Sequence, residues 1–92
     1  MRKIVINNCY GGFGLSSEAL KMLAELGHNI LDAMRLNRDF PDLVKVVETL
    51  GEKASAPYAN LVIIEIPEDV NWDIEEYDGM EWVVEKHRIW GK

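Results

Sequence analysis

A single cysteine, Cys9, rules out an internal disulfide and suits a reducing cytosol. Together with only two histidines, it also falls short of the usual four-ligand structural zinc set, so no metal is expected. No apolar run approaches twenty residues, which leaves no candidate membrane span. The opening "MRKIVI" turns polar too soon for a signal peptide, so a cytoplasmic location is expected. Positive charge is missing from a long stretch: no Lys or Arg lies between Lys53 and Lys86. That stretch holds Glu65, Glu68, Asp69, Asp73, Glu75, Glu76, Asp78, Glu81 and Glu85, and the net charge is −6. A nucleic-acid polymer would be repelled by such a surface. The acidic run reads as a solvated face that favours solubility, or as a surface for a basic partner. No twelve-residue EF-hand pattern accompanies the carboxylates, which weighs against a calcium site.

What remains is enough for one small α/β domain over residues 1–92. A chain of this size buries only about two thirds of its unfolded surface, so self-association into a homodimer or higher homo-oligomer is expected to help it. The expected order is β-α-α-β-β-β with a mainly antiparallel sheet. Residues 3–7, "KIVIN", form a short buried strand. Ser16 or Ser17 caps a helix carrying Leu20, Met22, Leu23, Ala24 and Leu26, with Glu18 in its first turn and Gly27 at its end. Residues 28–38 read as a connector. A second helix follows, with Asp39 as cap and Pro41 in the first turn. Leu43, Val47, Leu50 and Ala54 recur at helical spacing, so it is expected to run through Gly51 until Pro57 stops it. "NLVIIEIP" reads as a central strand covered on both faces. Asp78-Gly79 marks a hairpin between two β-prone runs. A two-residue turn would set Glu76 opposite Glu81 and repel, so either a cation relieves the pair or the loop is longer. The longer loop is the expectation.

The stretch "NNCYGGFGLSSEA" joins the first strand to the first helix. Gly11, Gly12, Gly14 and Ser16 could offer backbone donors at a helix start, the general recipe for holding a phosphate. The specific signatures fail, however. Gly14-Leu15-Ser16 lacks the P-loop lysine, and Gly12-Phe13-Gly14-Leu15-Ser16-Ser17 ends in Ser instead of Gly or Ala. A tight turn that lets helix and strand pack closely is the competing reading. Cys9 near a helix start could be an activated thiolate, but only His28 and His87 could serve as base, and neither has an evident orienting group. A small buried thiol fits as well. No catalytic residue is therefore assigned. At the other end, "EKHRIWGK" places Arg88 and Trp90 together, a guanidinium fork beside an indole that could stack on a base. The same residues also fit a chain end held by a buried Trp90, with cations balancing the acidic hairpin.

"KIVINNCYGGFGLSSEA", "VVETLGEKA" and "IEIPEDVNWDIEEYDGMEWVVEKHRIW" together resemble a family of small proteins encoded by bacteriophages and prophages. The resemblance covers both ends and most of the chain. It departs at residues 28–38, where relatives carry a longer segment. Within that setting the sequence is similar to the Thoeris anti-defence sponges, which sequester cyclic ADP-ribose signals without cleaving them. Those proteins bind at subunit junctions through arginines, an aromatic residue and an asparagine. By residue type, the resemblance implies such roles for Arg88, Trp90 and Asn71. The expectation is a non-enzymatic, cofactor-free protein that holds a small nucleotide-derived anion with Gly11, Gly12, Gly14, Ser16, Asn71, Arg88 and Trp90. The alternative is an acidic inhibitor that binds a host protein.

Overall fold

A computed structural model describes residues 1–29 and 35–86. Its order is β1 (Arg2–Asn7), α1 (Ser17–Glu25), α2 (Pro41–Leu50), a 3-10 turn (Gly51–Ala54), β2 (Leu61–Ile66), β3 (Trp72–Tyr77) and β4 (Met80–Glu85). This is the expected β-α-α-β-β-β arrangement. The strands form two antiparallel pairs, β1 with β2 and β3 with β4. Arg2 lies opposite Ile66 and Asn7 opposite Leu61.

Alternation sorts β1 onto two faces. Val5 faces the helices and joins Leu15, Ala19, Leu23, Leu43, Val46, Val47, Ala54 and Leu61 in the core. Ile4 and Ile6 point the other way and are also buried. The helices cover the first face because their apolar residues recur every three or four positions: Ala19 and Leu23 on α1, then Leu43, Val44, Val46 and Val47 on α2.

Ser16 caps α1, accepting a hydrogen bond from the Ala19 amide. Gly27, at φ +100, closes the helix. There the His28 amide bonds the Leu23 carbonyl and the Gly27 amide bonds that of Ala24. This pair of bonds is the Schellman closure, which needs a left-handed residue.

Three expectations require correction. Asp39 does not cap α2: Phe40 is the N-cap residue and makes no side-chain cap bond, while Asp39 accepts from Arg2. Nor does α2 pass through Gly51. That glycine turns to φ +58 and a 3-10 turn continues to Ala54, which is still buried. The helical repeat therefore survives in burial but not in backbone. Finally, β2 is not a central strand. Leu61 is buried, Glu65 exposed and the four other residues half-buried, and β1 is its one strand neighbour among the described residues.

The hairpin also departs from expectation, and for an instructive reason. Its turn has two residues, Asp78 at φ +50 and Gly79 at φ +89, the signature of a primed turn. Glu76 does stand opposite Glu81. The repulsion is relieved because each carboxylate turns to a different partner. Glu76 accepts from the Gly79 amide at 2.7 Å. Glu81, only 8% exposed, takes both guanidinium nitrogens of Arg38 at 2.6 and 2.9 Å.

Candidate functional site

The glycine loop is built as a joint. Asn7, fully buried at the end of β1, donates its amide to the carbonyls of Cys9 and Gly79, each at 2.7 Å. Its side-chain oxygen accepts from the Asn60 amide at 2.8 Å. One side chain thus ties the loop, the hairpin turn and the start of β2. Tyr58 lies against the loop so closely that a β-carbon at Gly11 would overlap its carbonyl, and one at Gly14 its hydroxyl. Gly12 needs φ +94, and Gly79 packs its bare Cα against the Gly12 backbone. Ser16 is also committed: its hydroxyl caps α1 and donates to the Lys53 carbonyl, and its amide bonds the Ala54 carbonyl. Gly11, Gly12, Gly14 and Ser16 are therefore brought together, Gly11 and Gly14 fixed by packing, Gly12 by its backbone angle and Ser16 by its hydrogen bonds.

Arg38 is the residue that sequence reasoning missed. Its guanidinium grips Glu81 in a fork and sits 3.6 Å from the centre of the Phe13 ring. Its carbonyl accepts from the Val5 amide at 2.9 Å, while Glu81 accepts from the Asn7 amide at 2.8 Å. Together they close the edge of β1 that β2 leaves open. The signal was present as the opposed Glu76 and Glu81, which called for a cation.

Asn71 lies elsewhere. It borders a cleft of about 520 Å³ with Arg2, Glu68, Asp69, Val70, Trp72 and Lys86. Arg2 and Asn7 are the two ends of a six-residue strand, so this cleft and the glycine loop are roughly 16 Å apart along β1. The Arg2 guanidinium donates to Asp39 at 3.0 Å and to the Glu68 carbonyl at 3.4 Å, and its buried Nε has no partner among the described residues. The Lys86 amide bonds the Asn71 carbonyl at 2.7 Å, which fixes the base of the hairpin. Its ammonium makes no ion pair among the described residues. Arg88 and Trp90, singled out from the sequence, lie outside the described residues, as does His87.

The thiol of Cys9 is half-buried, 3.1 Å from the Tyr58 carbonyl and 3.4 Å from the Asn7 side-chain oxygen. His28 is engaged with Asp42, Nε2 to Oδ2 at 2.9 Å, and meets the edge of Phe40. No cluster of three or more metal-ligating side chains occurs among the described residues. No described helix is long and apolar enough to cross a membrane. No family model, curated protein or solved structure matches the chain.

Proposed function

We propose that the chain is a non-enzymatic binding protein of the phage anti-defence kind. It captures a nucleotide-derived anion of the cyclic ADP-ribose class in the cleft between Arg2 and Lys86. One observation carries this reading: two cations, an indole and a carboxamide line a single cavity of about 520 Å³. That size lies within the roughly 300–1,000 Å³ of small-molecule sites. Lys86 supplies a charge not spent on a carboxylate among the described residues, Trp72 a face on which a base can stack, and Asn71 a donor and an acceptor. Glu68 and Asp69 would repel a bare phosphate, but they suit a ligand that also presents ribose hydroxyls. The mixed lining thus favours a nucleotide over inorganic anions. Arg88 and Trp90 follow Lys86 in sequence and remain candidates for the same ligand.

An acidic protein-binding inhibitor is the second reading, favoured by the outer face of the hairpin. Tyr77 and Trp82 are 65% and 41% exposed there, on the face that also carries Asp73 and Glu75. Aromatic anchors among carboxylates fit a basic protein surface.

Native mass spectrometry with cyclic ADP-ribose-type and cyclic dinucleotide ligands separates the two. The first reading expects a retained ligand that is recovered chemically intact on denaturation. Absence of any retained ligand would remove it and leave the hairpin reading in place.

A further inference from the structure

We infer that a second copy of this chain pairs with the open edge of β2, joining two β1–β2 ribbons into one four-stranded antiparallel sheet. The direction of the backbone groups follows from the hydrogen bonds around them. The Val5 and Asn7 amides bond Arg38 and Glu81, away from β2. Their register partners are Ile63 and Leu61, and the Leu61 amide accordingly bonds the Ser55 hydroxyl instead of β1. In an antiparallel ladder such positions alternate, so the amides and carbonyls of Ile63 and Glu65 also point outward. Neither amide has a partner among the described residues.

This edge has few of the usual protections. Protected edges carry charges, prolines or bulges. β3, whose outer edge is also open among the described residues, has Asp73, Glu75 and Glu76 within six residues. β2 has Glu65 alone in "LVIIEI". Beside the edge, Val62, Ile64 and Ile66 form a half-exposed apolar strip on the face away from the helices. Two-fold pairing about Ile64 uses only the free groups of Ile63 and Glu65, away from the Leu61 amide that Ser55 holds, and meets that strip with its own copy, Val62 against Ile66. It also keeps the two Glu65 side chains out of register with each other. An isologous contact of this kind is the commonest route to a dimer.

Glu65→Pro is the direct test. It deletes an outward amide and leaves the bonds to β1 untouched, a setting in which a strand tolerates proline. Light scattering at high micromolar concentration should give twice the 10.5 kDa chain mass for the unmodified protein and one chain mass for Glu65→Pro, with unchanged circular dichroism. A monomeric unmodified protein, or a variant that stays dimeric, overturns the inference. Should the variant not fold, amide exchange in the unmodified protein decides: slow exchange at Ile63 and Glu65 supports the paired edge, and fast exchange overturns it.

Discussion

Arg38 ties three parts of the structure together. It neutralises a carboxylate buried in the hairpin, stacks on Phe13 and presents its carbonyl to β1. Arg38→Ala would strand the Glu81 charge, and breaking such a buried pair costs about 3–5 kcal/mol. Chemical denaturation should show a loss of about that size. Arg38→Lys should recover only part of it, because the fork and the stacking are lost while the charge remains. Lys3 offers a gentler test. Its amine lies 2.6 Å from Glu48, and its pKa is raised above 10.5. The cause is first the hydrogen bond to Glu48 and then the attraction of that charge, with Glu65 adding a little. A raised folded-state value favours the protonated amine, so the contribution is complete below the unfolded-state pKa. It is lost as the pH rises through the folded one. NMR titration of the Lys3 side chain should show the raised value, and Glu48→Gln should return it toward the ordinary one.

Among the elements, the joint between the glycine loop and the hairpin turn is closely packed at its glycines. Gly11→Ala would drive a methyl into the Tyr58 carbonyl, and Gly79→Ala would press on the Gly12 backbone while also straining a positive φ. Each should cost about 1–3 kcal/mol, the range for overpacked sites. Gly51→Ala meets open space, so its cost, about 1–3 kcal/mol, comes from backbone strain at φ +58 and ψ −128 instead of overpacking. Thermal melts of the three variants check these losses. Asp78-Gly79 was readable from the sequence because its turn chemistry is local. The length of that turn was not, because the cation that permits it arrives from Arg38, in the connector far up the chain. The end of α2 was misjudged for a related reason. Ala54 keeps its place in the core although the backbone changes at Gly51, so apolar spacing alone could not mark the break. The apolar run of β2 was legible as a strand. Its open edge was not, since composition does not say how many neighbours a strand has.

At the scale of the whole molecule, the two ends have different characters. One end is the packed joint of Asn7, Tyr58, the glycines and the hairpin turn. The other is the cleft, where β1 delivers Arg2, the segment after β2 delivers Glu68 to Asn71, and β4 delivers Lys86. Asn71 was a candidate by residue type alone, through the resemblance. Arg2 and Lys86 were not, because only the fold brings the two ends of the described chain to one place. The claim that this cleft captures a nucleotide-derived anion is tested most directly by calorimetric titration of cyclic ADP-ribose-type ligands into the unmodified protein and Lys86→Ala. Charge-assisted bonds contribute about 1.5–3 kcal/mol each, and about 1.4 kcal/mol is one decade in affinity. Binding by the unmodified protein that weakens at least about tenfold in Lys86→Ala, with an unchanged melting temperature, is the expected result. Equal binding by both proteins, or none by either, would contradict it.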